Sequence, residues 1–361
     1  MKKILLIPTT LILTIILSAC TGTNAKFPHV AGLLDKPLPA DTAPAHVLEA
    51  MERAERYHQY EIMSDTANDI SVEAIGEADT TSTEGYGIVV VKGATSTVFP
   101  HIPNSRQPLA RYCRETGDLW LTCSAMAGTG VAVERLYQIR FNNSDSAYIA
   151  NAIDPYALQQ QLCQRLGYSI DGEKMTLYDR SRELTTATNT VTDMGGFDDE
   201  HPLWIGEQMQ YDLSGNRPCL LVTPGVKYTT GLVLTYDDMP TLSAPIGIDN
   251  GGKPCIGEIT EVVRPFEGSY LDEDNSEPNL FITYQRNDGR YDVAIGIFRL
   301  TSLDDGIATM GDNGLSFTAT DAAGNPIGGL ITLQGDTATV TFTRSTWPLL
   351  ENGATFRYTR Q

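Results

Sequence analysis

Ile327-Gly328-Gly329-Leu330-Ile331-Thr332-Leu333, then Gln334-Gly335-Asp336, then Thr337-Ala338-Thr339-Val340-Thr341-Phe342-Thr343 is the stretch whose reading decides the fold. In the last run Ala338, Val340 and Phe342 occupy every second position, and four threonines take the positions between. A period of two sends neighbouring side chains to opposite faces of an extended chain, so the run reads as a strand with one dry face. Gln334-Gly335-Asp336 is turn chemistry, which makes the two runs an antiparallel hairpin.

The same grammar continues upstream. Gly324-Asn325-Pro326 is a further turn, and before it Leu315, Phe317 and Ala319 alternate with Ser316, Thr318 and Thr320. Leu280–Gln285 and Arg290–Leu300 flank Asn287-Asp288-Gly289, a strong hairpin signal. Residues 246–361 therefore read as an up-and-down antiparallel meander. Its dry face must be covered by a second sheet or by closure into a barrel. The boundary with what precedes it falls in Pro240–Pro254, where Pro245, Gly247, Gly251 and Gly252 lie close together.

Residues 86–245 read as a second β domain. Gly87–Val91 is a β-branched run, and Val131, Val133, Tyr137, Ile139 and Phe141 alternate with mostly polar neighbours. Further strands are expected at Asp118–Thr122, Ala147–Ile153, Lys174–Tyr178, Leu203–Tyr211, Leu220–Thr223 and Gly231–Tyr236. One inserted helix is expected at Pro155–Leu166, with Leu158, Leu162 and Leu166 on one side and Gly167 at its end. Residues 44–85 read as a short amphipathic helix, Pro44–Tyr60, and then an acidic linker, Glu61–Gly85. The fold class expected is mainly β, with two antiparallel β domains of sandwich or barrel type, an N-terminal helix and one inserted helix.

The chain has 361 residues, 26 of them basic and 45 acidic, for a net charge of −19. Nucleic acid is bound by clustered Lys and Arg, and no basic run exists beyond the first three residues. That excludes nucleic acid as a partner and polybasic adsorption to a membrane.

Lys2 and Lys3 precede an apolar run, Ile4–Ile16, that is too short to span a bilayer but suits the core of a secretory signal. It ends in Leu17-Ser18-Ala19-Cys20, and there the chain resembles the bacterial lipoproteins, whose lipobox has this order and spacing. The resemblance implies removal of residues 1–19 and a covalent lipid at Cys20, with several acyl chains giving stable anchoring. Thr21 rather than Asp follows Cys20, which implies the outer membrane, facing the periplasm or the cell surface. Residues 20–43, with Gly22, Pro28, Gly32, Pro37 and Pro39, read as the lipidated tether.

Export permits disulfides. Cys113 and Cys123 flank the turn-like Glu115-Thr116-Gly117-Asp118, and Cys219 with Cys255 is a second candidate pair. Cys163 on the inserted helix would then be the odd, buried thiol. The alternative leaves all of these thiols reduced and packed, and the sequence has no CxxC.

Chemistry is thinly signalled. There is no P-loop, HExxH, GxSxG or complete GxGxxG. Asp199 and His201, within an acidic Gly-containing segment, would share one side of an extended chain and are the candidate metal ligands. Asp272, Asp274 and Glu277 offer hard oxygens suited to calcium but lack EF-hand spacing. Adjacent acids are most often a solvated loop. Trp120, Trp204 and Trp347 read as core rather than as a sugar platform. Asp followed by Ser or Thr and a small residue, at Asp41, Asp65, Asp145 and Asp336, is similar to the acceptor tripeptide of some bacterial O-glycosylation systems.

The leading expectation is a lipid-anchored envelope protein with a non-enzymatic binding or structural role. It needs no cofactor beyond the lipid, and an envelope protein or a glycan is its partner. The alternatives are an envelope hydrolase using carboxylates of the Asp198–His201 segment, or a lipocalin-like cup for an apolar ligand.

Overall fold

The computed structural model describes residues 31–32, 57–77, 85–93, 95–99, 102, 108–128, 131–144, 147–171, 174–188, 203–205, 209–227, 233–234, 239–297 and 299–361. Within them the protein is mainly β with one α-helix, as its alternating runs require.

A two-residue strand, β1 (Ala31–Gly32), comes first in the chain. Next, β2 (Tyr57–Asp65), β3 (Ile70–Glu77), β4 (Gly85–Lys92) and β5 (Thr95–Phe99) form one antiparallel meander. A second is built from β6 (Leu109–Cys113), β7 (Asp118–Gly128), β8 (Val131–Asn142) and β9 (Ala147–Ile153). The two meanders share a core in which Val72, Ala74, Ile88 and Val90 meet Leu119, Leu121, Tyr137 and Ile139. The β6–β9 sheet is dry on its other face too, where Trp120 and Leu136 enter a second core. Burial on both faces explains the nearly unbroken apolar run Leu119–Leu121.

This second core is completed by helix α1 (Pro155–Arg165) and the sheet β10 (Leu166–Asp171), β11 (Lys174–Asp179) and β12 (Arg182–Thr188). Asp154 caps α1 by accepting the Tyr156 N–H at 3.0 Å, and Pro155 occupies the first turn, where no N–H is needed. Leu158 and Leu162 form its buried side. The helix stops at Arg165 and runs straight into β10, so Gly167 lies within a strand and is not the cap expected of it.

Two interleaved sheets follow. One places β13 (Leu203–Ile205) between β1 and β16 (Gly225–Lys227), with β17 (Val233–Leu234) beyond. The other holds β14 (Gln210–Asp212), β15 (Cys219–Val222), β18 (Leu242–Ile248), β19 (Pro254–Ile256) and β20 (Thr260–Glu261). The Gln161 side-chain amide of α1 joins the edge of β19 as a strand would, donating to Pro254 O at 2.8 Å and accepting from Ile256 N at 3.0 Å. An edge covered in this way cannot pair with another chain.

The C-terminal meander closes. β21 (Gly268–Leu271), β22 (Leu280–Tyr284), β23 (Tyr291–Ile297), β24 (Thr301–Gly311), β25 (Gly314–Thr320), β26 (Pro326–Gln334), β27 (Thr337–Arg344) and β28 (Thr355–Arg360) form an eight-stranded antiparallel barrel, sealed by β28 on β21. Ala338, Val340 and Phe342 point inward, as their spacing demands. A barrel of this strand number has an interior about as wide as its side chains. Here Tyr270, Phe317, Phe342 and Tyr358 fill it with Leu280, Ile282, Ile295 and Ile331. Phe317 and Phe342 meet edge to face with centroids 5.6 Å apart. Each such buried side chain contributes about 1.5–3 kcal/mol.

Four expectations need correction. Residues 57–60, expected at the end of a helix, begin β2, and the expected acidic linker carries β2 and β3 joined by the turn at residues 66–69. Residues 44–56 lie outside the described residues. The expected strand Leu203–Tyr211 divides into β13 and β14, which belong to different sheets. The boundary drawn at residue 245 falls inside β18, which pairs back onto β15. Residues up to Glu261 therefore belong with the preceding sheets, and the barrel occupies Gly268–Arg360.

Candidate functional site

A cluster of polar side chains lies where the barrel meets the preceding sheets. The β22–β23 turn, Arg286-Asn287-Asp288-Gly289, contains the Asn287-Asp288-Gly289 hairpin signal read from the sequence. Gly289 has φ +77°, a conformation glycine adopts without strain, and the Arg290 N–H donates to Asp288 Oδ1 at 3.0 Å. This tip docks onto β8 and β14. Arg286 Nη1 donates to Glu134 Oε2 at 2.8 Å and to the Tyr211 carbonyl at 2.6 Å, while the Leu213 N–H donates to the Arg286 carbonyl at 2.6 Å. Glu134 Oε2 also accepts the Tyr211 N–H at 3.0 Å.

Beside this pair, Arg264 donates to Asp212 Oδ2 at 2.8 Å and stacks over the Tyr284 ring at 3.7 Å. The Tyr284 and Ser214 hydroxyls are 2.7 Å apart. Burial pushes the Tyr284 phenol up, against the Ser214 hydrogen bond that favours its ionised form. The Tyr211 hydroxyl and Asn287 Oδ1 are buried with no hydrogen-bond partner among the described residues. Burial raises the Tyr211 phenol far above its ordinary value, with Glu134 and Asp154 adding to the shift. Both carboxylates of the cluster are thus matched by guanidinium groups, a geometry that fastens two bodies together.

A third matched carboxylate lies on the β10–β12 sheet. Asp179, at the end of β11, accepts from Arg165 Nε at 3.0 Å and Nη2 at 2.5 Å. Arg182 adds a longer contact at 3.5 Å. Burial alone would raise the Asp179 carboxyl, but the two arginines outweigh it and hold the group below its ordinary value. Arg165 also donates to the Ile256 and Gly257 carbonyls and Arg182 to Ile259 O, which ties α1, β12 and the β19–β20 connection together.

The residues singled out in the sequence are dispersed. Cys20, Asp199 and His201 lie outside the described residues, as does His101. Asp272 has its oxygens taken up by N–H donors: Oδ1 by Asp274 N and Asn275 Nδ2, Oδ2 by Asn279 Nδ2, at 2.7–3.0 Å. Asp274 and Glu277 are exposed. Among the described residues no three His, Cys, Asp or Glu side chains are grouped to hold a metal ion, and no helix is long and apolar enough to cross a membrane. Trp120 is core and Trp347 packs against the barrel interior.

Neither expected disulfide is formed. Cys113 faces Asp118 across the β6–β7 ladder, which leaves Cys123 five residues further along β7. That is about 17 Å of strand. The two also belong to different cores, on opposite faces of the sheet. Cys219 and Cys255 flank β18 from its two sides, opposite Pro245 and Gly247. Two strand spacings put them roughly 10 Å apart, beyond the reach of a disulfide. The reduced alternative is the one found, with Cys163 half-buried on α1.

Glu134, Tyr211, Arg264 and Arg286 carried no recognisable motif. The one signal was local: Glu134-Arg135 interrupts the alternation of β8, where even positions turn toward the middle sheets. No family model and no curated protein matches the chain.

Proposed function

We propose that this is a lipid-anchored protein of the bacterial envelope, in the outer membrane, with a non-enzymatic binding or structural role. The observation that carries the reading is the run Lys2 to Cys20: a short positive segment, an apolar core of secretory length and Leu17-Ser18-Ala19-Cys20 at its end. The covalent lipid at Cys20 holds the protein to the membrane, and the folded body acts from there.

The body supports a binding or structural role in two ways. Its barrel interior is occupied by its own side chains, Phe317 and Phe342 among them, so a ligand meets the outside of the barrel. That outside is rich in hydroxyls, with Ser316, Thr318, Thr343, Thr355 and Thr359 exposed. A surface of this kind suits a polar partner, an envelope protein or a glycan. Glu134, Asp179 and Asp212 are matched by arginines, which is structural use of carboxylates.

The test is processing in cells. Radiolabelled fatty acid should enter the chain at Cys20, globomycin should block removal of residues 1–19, and Cys20→Ala protein should leave the membrane fraction. A Cys20→Ala protein that stays membrane-bound sinks the anchor.

A further inference from the structure

The geometry points to a membrane-facing side of the body: when the chain is held at Cys20, the face built from β1 and α1 lies against the lipid head groups. This rests on the anchor reading above.

Ala31 and Gly32 pair with Trp204 and Ile205 in parallel, the one parallel pairing among the described residues, and β1 runs alongside α1. The segment after Cys20 is therefore attached to the body at residue 31, not at residue 43 where the expected tether ends. Ten residues separate Cys20 from Ala31, and fully extended they reach at most about 40 Å. A globular chain of this length is about 50 Å across. A leash shorter than the body is wide selects the side that can approach the membrane.

The charge distribution agrees. A strongly acidic chain is repelled by an anionic leaflet unless the approaching face lacks carboxylates. No acidic residue occurs between Cys20 and Leu34, a stretch that carries Lys26 and His29. Between its N-cap Asp154 and Arg165, α1 also has no acid, and its exposed positions include the neutral Gln160 and Gln164. Arg165 is matched by Asp179, so the helix adds only the Asp154 carboxylate to this side, in a chain of net charge −19.

The experiment holds the chain on vesicles of zwitterionic and anionic phospholipid through a hexahistidine segment, in place of residues 1–20, on a nickel-chelating lipid. A photo-crosslinking phenylalanine analogue is placed in turn at Gln160, Gln164, Thr309 and Thr343. Lipid adducts should form several-fold more at Gln160 and Gln164 than at the two barrel positions, and Ala31→Pro with Gly32→Pro should abolish the difference while the barrel melts unchanged. Equal adducts at all four positions, an excess at the barrel, or selectivity that survives the proline variant would overturn the inference. Because the hexahistidine replaces the lipid, absence of fatty acid at Cys20 in cells would sink the anchor reading and leave this measurement intact.

Discussion

Arg286 at the tip of the β22–β23 hairpin and Glu134 on β8 are 152 residues apart in sequence and 2.8 Å apart in space. Glu134 is 12% and Arg286 26% exposed at the side chain, so the pair is largely withdrawn from water. Removing Arg286 strands the Glu134 charge and leaves the Tyr211 carbonyl without that donor. Arg286→Ala should cost about 2–4 kcal/mol. Glu134→Gln should cost less, because the amide keeps a hydrogen-bonding group there. Urea denaturation of both variants checks the order, and limited proteolysis between β20 and β21 should speed up for Arg286→Ala.

Asp179 makes stability depend on acid. Its folded-state carboxyl lies below the ordinary value because Arg165 and Arg182 outweigh its burial. The unfolded chain therefore takes up the proton first as pH falls. The contribution is fully present above the ordinary carboxylate range, about pH 4, and is lost as pH drops through the folded value. Melting temperature should fall on moving from about pH 5 to about pH 3, and Asp179→Asn should flatten that slope while lowering stability at neutral pH. A variant with an unchanged slope would remove Asp179 from the account.

The barrel interior has little slack. A methyl group at Gly329 would stand 2.8 Å from Phe317 Cε1 and would press on the Thr341 carbonyl. Gly329→Ala should therefore destabilise by roughly 1–3 kcal/mol. Phe342→Ala empties the centre of the aromatic cluster and should cost about 3–5 kcal/mol. Equilibrium unfolding in guanidinium reads both.

Thiol chemistry follows burial. Cys123 is almost fully enclosed and its thiol is pushed far up by burial, with Glu134 adding to the effect, so it should stay silent to Ellman's reagent in the folded protein. Cys163, Cys219 and Cys255 are partly accessible and should react. Unfolding without reductant should expose all five thiols of the body to alkylation. Intact mass counts them, and a shortfall of two would mean a bridge.

The barrel was legible because turn and strand signals agree there. Asn287-Asp288-Gly289 sits at a hairpin tip, and Val340 and Phe342 face the interior their spacing assigns them. Closure was not legible, since it depends on Tyr270 meeting Arg360 across the whole domain. β24 escaped notice because Asp304, Asp305 and Gly306 interrupt its alternation at a register shift opposite Val293–Ile295. β3 escaped for a different reason. Its dry face is only Val72 and Ala74 with Ile70, while Glu73 and Glu77 on the same strand give the segment the composition of a linker. The polar joint could not be read at all, because Arg286 and Glu134 become neighbours only after both bodies exist.

The seal between β21 and β28 bears on how the barrel is made. Tyr270 pairs with Arg360, so the closing contact joins the first and last strands in chain order. Such a contact has the largest sequence separation available in the domain, and non-local pairing of this kind is reached slowly. Until β28 arrives, β21 and β27 each expose an open edge that can pair with a neighbouring chain. The barrel should therefore assemble late and in one step. The interval before its last strand docks is when the chain would most need to be kept from its neighbours.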